Sequence, residues 1–172
     1  MKNLELILMA GILMTTLPAC KGKDDSSSYQ RSTSSTKQDA SDEKKIIKSL
    51  DNYFDSSKSK DFKEFWNCFS SENKANMLKD NLYALFWTGW VVGEPKFGRV
   101  NSIAINGNNA IVNLSYSCKY PGFGYRMNYD AADYDFVKEG DRWFLLNEHF
   151  NGGQQIEKFE PYTVDLIKPE LP

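Results

Sequence analysis

The sequence predicts an α+β domain in which three N-terminal helices pack on a curved antiparallel sheet. Apolar residues between Ser41 and Trp87 recur at helical spacing. From Phe97 onward the spacing changes to alternation. The alternating stretches are joined by short turns at 106–109 and 138–141. A run of helices followed by hairpins is the α+β order of elements.

The first helix is expected from Ser41, a capping residue followed by acids in the first turn. Ile46, Ile47, Leu50, Tyr53 and Phe54 then form its apolar stripe. Asp61 caps the second helix, with Phe62, Phe65, Trp66 and Phe69 on one face. A third is expected over 70–87, with Leu78, Leu82, Leu85 and Phe86 as its stripe. Three glycines and Pro95 within 89–98 end the helical part. Asn106-Gly107 is a strong hairpin signal, because both residues accept positive φ. In the strand after it Ala110, Val112, Leu114, Tyr116, Cys118 and Tyr120 share one face. A Pro121-Gly122-Phe123-Gly124 loop follows, then two strands closing on the turn at 138–141. On the last strand Trp143 and Leu145 share one side, and Arg142, Phe144 and Leu146 the other. Both sides are largely apolar, which predicts an inner strand, with Trp143 or Phe144 facing the helices.

This order resembles the NTF2-like (cystatin-like) cone fold. It also resembles the lipoproteins of unknown function in that superfamily described as lumazine-binding-like. The resemblance is carried by SKDFKEFWNCFS at 59–70, NGNNAIVNLSYS at 106–117 and FVKEGDRWFLL at 136–146, and covers about Ser41 to Phe150. Lys60-Asp61 stands where the family has Gly-Asp, and the tail beyond Asn151 has no family counterpart. The resemblance implies helices packed on a cone-shaped sheet. Some relatives, the ketosteroid isomerases and polyketide cyclases, are enzymes that place an Asp, Tyr or His inside the cone.

Before the domain come two further segments. Residues 1–19 have a basic start and a short apolar run, Leu6 to Leu13, which is far below the about 20 residues that span a bilayer. This is the pattern of a secretory signal peptide. Leu17-Pro18-Ala19-Cys20 resembles the lipobox of bacterial lipoproteins, which implies lipidation of Cys20; the alternative is an ordinary signal peptide with a chance cysteine. Residues 20–40 then read as a lipidated cysteine and a Ser/Thr-rich linker, too poor in apolar groups to fold. Lys23-Asp24-Asp25 resembles the tract that sends some lipoproteins of the Bacteroidota to the cell surface, and reads equally as solvated linker. The domain with its C-terminal tail is expected over 41–172.

A net charge of −2 without a basic stripe excludes a nucleic-acid partner. Nothing calls for a cofactor, and no spacing suggests a metal site. Cys68 and Cys118 form either a disulfide or two buried thiols. Asp130, Asp133, Asp135 and the single histidine, His149, are the acid–base candidates. If Tyr134 and Phe136 point inward, Asp133 and Asp135 face solvent. Four Trp, nine Tyr and eleven Phe exceed the needs of a core this size. Trp66, Trp87, Trp90, Tyr116, Tyr120 and Phe123 are therefore the candidate ligand-binding residues, Phe123 on a loop that glycines either loosen or simply turn. The expected function is a non-catalytic, lipid-anchored binding or interaction domain of the cell envelope. Its membrane partner is reached through lipid on Cys20, at the periplasmic or surface face of the outer membrane, and its ligand is a small apolar molecule or an envelope protein. The alternative is an isomerase- or cyclase-type enzyme acting on an apolar ligand.

Overall fold

A computed structural model describes residues 37–79, 81–150 and 152–172. The leader, Cys20 and Lys23-Asp24-Asp25 lie outside the described residues. Among the described residues four α-helices precede five strands: α1 (Lys37–Ser59), α2 (Phe62–Asn67), α3 (Ser71–Lys79), α4 (Leu82–Gly93), β1 (Lys96–Asn106), β2 (Asn109–Tyr120), β3 (Tyr125–Glu139), β4 (Arg142–Phe150) and β5 (Gln154–Lys158).

The expected α+β order is present, with two corrections among the helices. α1 begins at Lys37, ahead of Ser41, so Ser41 is a helical residue and not the cap. The third expected helix is two helices, because the backbone at Asn81 turns left-handed at φ 54°. Asparagine tolerates that conformation better than most residues. α4 then runs through Gly89 and ends at Gly93. Asp61 caps α2 as expected, its carboxylate accepting from the Glu64 N–H at 3.0 Å. Ser70 does the same for α3 through Asn73 N–H at 3.1 Å.

The strands form one antiparallel sheet in the order β1-β2-β3-β4, and β5 pairs with the first part of β3. The 15 residues of β3 thus share one edge between two partners: β4 along Ala132–Glu139 and β5 along Tyr125–Asn128. β-Bulges bend the strands. On β3, Asp130 and Ala131 stand between the Leu114↔Ala132 and Tyr116↔Tyr129 pairs; on β4, Leu146 stands between Leu145↔Phe136 and Asn147↔Asp135. Each adds one residue to one strand, which curves it and reverses the alternation beyond.

The helices cover the concave face. Ile46, Leu50, Tyr53 and Phe54 of α1 meet Val112, Leu114, Tyr134, Phe136, Trp143 and Leu145 of the sheet in one core. Trp143 is the aromatic that faces the helices, only 1% exposed. Phe144 lies half-buried on the other side, beneath Lys74 and Arg142. Among the described residues β4 is not an inner strand: beyond β3 its neighbour is a single parallel bridge, Phe69 to Leu145. Two long-range contacts hold α1 to the last hairpin. Ser49 Oγ donates to Trp143 O at 2.8 Å, and Lys138 Nζ sits 2.9 Å from the buried Asp42 carboxylate. Among the described residues, every fully or nearly buried apolar side chain of this core lies between Ile46 and Leu145.

Candidate functional site

The bulge at Leu146 decides which side chain of β4 enters the concave face. Strict alternation from Trp143 and Leu145 would send Asn147 and His149 inward. With one residue inserted, Glu148 turns inward opposite Tyr134, and Phe150 opposite Ala132. Glu148 Oε1 accepts a hydrogen bond from the Tyr53 hydroxyl of α1. Burial raises the Glu148 carboxyl from 4.5 to about 7, although Tyr53 and the neighbouring His149 pull it back. The residue as a whole is half-buried. Its carboxyl acts electrostatically on three phenols, of Tyr53, Tyr116 and Tyr134, that burial pushes far above their usual range. The Tyr134 hydroxyl is buried and, among the described residues, has no hydrogen-bond partner within 3.5 Å. Tyr53 stacks on Trp90 at 4.0 Å between ring centroids, and the Trp90 indole donates to Tyr53 O at 3.0 Å.

From Glu148 an aromatic row runs outward along β2 and β3. Tyr116 stacks on Tyr129 at 5.1 Å, and Phe150 packs against both, at 6.0 and 5.5 Å. The Tyr120 and Tyr129 hydroxyls share a hydrogen bond of 2.5 Å. Tyr120 leads to Tyr125 and on to Phe123, at 5.6 and 5.8 Å. Phe150 and Phe123 are 44% and 51% exposed, so the row begins in the core and ends in water. Gly153 lies across it, where a Cβ would come within 2.8 Å of the Tyr129 ring. This rim offers stacking faces, two phenol hydroxyls and one carboxyl that exchanges its proton near neutrality.

Of the six aromatic candidates the structure brings Trp90, Tyr116, Tyr120 and Phe123 to this site. Trp66 and Trp87 do not join them. Both are buried between α2 and α4 against Phe62, at 5.8 and 5.5 Å, and have a packing role. Phe123 is exposed, but its loop is held in place. Phe159 N–H donates to Gly124 O at 2.8 Å and Tyr162 N–H to Pro121 O at 3.2 Å.

The acid–base candidates lie on the opposite, convex face, as the inward Tyr134 and Phe136 require. His149 Nε2 is 2.9 Å from Asp135, Asp133 accepts from Asn113 at 2.6 Å, and Asp130 accepts from Asn128 at 2.6 Å. Cys68 and Cys118 are free thiols. They sit on α2's C-cap and on β2, and the Cys68 thiol donates to Glu64 O at 3.2 Å instead of pairing. Burial pushes that thiol up to about 12. Sequence reasoning missed Glu148, Tyr53, Tyr129 and Tyr134. Period-two alternation would have found Tyr134, but nothing in the sequence marks the bulge that turns Glu148 inward. Among the described residues no group of three or more His, Cys, Asp or Glu is placed to hold a metal ion, and no helix is long and apolar enough to cross a membrane.

The chain matches no protein-family model and no curated protein sequence. Several solved structures are similar to it. One is an NTF-2-like protein of unknown function from Shewanella oneidensis, at 15% identity and TM-score 0.42, covering 62% of this chain and 96% of its own. Another is a protein of unknown function with a cystatin-like fold from Nostoc punctiforme, at 14% identity and TM-score 0.45, covering 67% and 91%. A third is a protein containing a SEC-C motif from Rhodopseudomonas palustris, at 18% identity and TM-score 0.43, covering 58% and 73%.

Proposed function

We propose that this chain is a non-catalytic binding domain of the cell envelope. Lipid on Cys20 tethers it to the outer membrane, and it takes an apolar ligand or partner along the aromatic rim. One observation carries the binding part: the concave face is filled by its own side chains up to Glu148, and the aromatic row emerges from there to exposed Phe150 and Phe123. A surface of that kind gains free energy when an apolar group covers it. The anchoring part rests on the Leu17-Pro18-Ala19-Cys20 box.

The test uses residues 37–172 and the neutral dye Nile red. The dye should bind, and Tyr120→Ala and Phe150→Ala should each weaken it, whereas Trp66→Phe in the helical core should not. Unchanged binding in both rim variants would remove the rim from consideration. A second reading, an enzyme of isomerase or cyclase type, is favoured by the Glu148 carboxyl near neutral pKa beside Tyr53. Chemical change of a bound ligand, abolished by Glu148→Gln with binding retained, would move the function to that reading.

A further inference from the structure

A second concavity lies away from the rim, where α1 and α4 both end. It is a cleft of about 500 Å³ between the last turn of α1, the end of α4, the start of β1 and the C-terminal tail. Its apolar lining is Val91, Val92, Pro95 and the half-exposed Tyr162. Its rim is cationic: Lys58, Lys60 and Lys96. Lys58 pairs with Asp55 at 2.7 Å, while Lys60 and Lys96 close no ion pair among the described residues. The one acid in the lining, Glu94, is already engaged. Lys119 lies 2.6 Å from its carboxylate, and the buried Arg126 guanidinium lies at 3.5 Å. The two helix C-termini bring roughly half a negative charge each, which the lysines exceed. An apolar lining of this size beside a rim of spare positive charge suits an organic ligand with one anionic end.

We propose that this cleft binds a single anionic amphiphile: an alkyl chain on Val91, Val92 and Tyr162, with a carboxylate or phosphate held by Lys60 and Lys96. The site is separate from the aromatic rim and does not depend on it. Lys60 has φ 55°, a conformation glycine adopts freely, so Lys60→Gly removes the charge without disturbing the turn.

Calorimetric titration of residues 37–172 with monomeric decyl phosphate and decanoate tests this. Both should bind one to one. Lys60→Gly and Lys96→Gln should each weaken them about tenfold, the scale of one hydrogen bond to a charged group. Decyltrimethylammonium and inorganic phosphate should bind far more weakly, and Tyr120→Ala should change nothing. Equal binding of the cationic amphiphile, or affinities untouched by both lysine variants, would overturn the proposal. So would inorganic phosphate binding as tightly as decyl phosphate. Loss of binding in Tyr120→Ala would move the ligand to the rim. Adsorption to phosphatidylglycerol vesicles without binding of monomeric decyl phosphate would replace a single-molecule site by a membrane surface.

Discussion

Replacing Glu148 by glutamine should remove a specific pH dependence of stability. The parent carboxyl ionises at about 7 in the folded domain, against 4.5 when solvated. Its folded pKa is raised, so between those values the native state holds a proton that the unfolded chain has released. The parent should therefore lose stability as pH rises from 4.5, and the loss should be complete above about 7. At about 1.4 kcal/mol per pH unit the interval amounts to about 3 kcal/mol, and the residue's partial contact with water trims this to about 2–3 kcal/mol. Glutamine has no charge to bury, and its amide oxygen can still accept from Tyr53. Urea unfolding of residues 37–172 at pH 4.5, 6, 7 and 8 gives the comparison. The parent-minus-variant difference should fall by about 2–3 kcal/mol across that range, at equal m-values. A difference that stays constant would mean that the carboxyl is hydrated, and the reasoning about a dry tyrosine-lined site would fail.

Three further outcomes are expected. Trp143→Ala should cost about 3–5 kcal/mol, because the side chain it removes is almost wholly buried, whereas Phe144→Ala should cost far less; equal melting of the two variants would contradict the assignment of faces. Gly124→Ala should destabilise by about 1–3 kcal/mol, since φ is 67° there and a Cβ would sit 2.5 Å from Phe159 O. It should also speed chymotryptic cleavage after Phe159 or Tyr162, and cleavage at the parent rate would show that this contact does not hold the tail. In the full chain, Cys20→Ser should abolish lipid attachment, read by metabolic labelling with a fatty-acid analogue; label retained on the variant would end the lipobox reading.

What could be read from the sequence was whatever depends on near neighbours. The turn at 106–109, the cap at Asp61 and the inward Tyr134 and Phe136 follow from short-range chemistry, and each is in the structure. The break at Asn81 was hidden because the apolar spacing of α3 continues into α4 without interruption, and a single left-handed residue leaves no gap in it. Glu148 was hidden for a related reason. Its facing is set by one inserted residue on β4, and a period-two pattern has no memory of an insertion. The tail was unreadable because β5 pairs with β3 across some 30 positions, where local pattern says nothing. Aromatic excess alone does not separate Trp66 and Trp87, which pack among the helices, from Tyr116 and Tyr120 on the rim, because it reports how much ring area a chain carries, not where it is spent.

The clamps from α1 to the last hairpin, Asp42 to Lys138 and Ser49 to Trp143, join residues 96 and 94 positions apart. The sheet itself needs no such reach, because β1 to β4 pair with their chain neighbours through tight turns. The four-strand meander can therefore nucleate by local steps, while seating the helical layer must close a loop of nearly a hundred residues. Order in time then follows order in sequence only for the sheet. On a ribosome the helices emerge first, and Phe54 then has Trp90 of α4 to pack on, but Trp143 reaches α1 only once β4 is made. Until then the α1 face that meets the last hairpin lacks its partner, and such transiently exposed apolar surface is the part most open to aggregation.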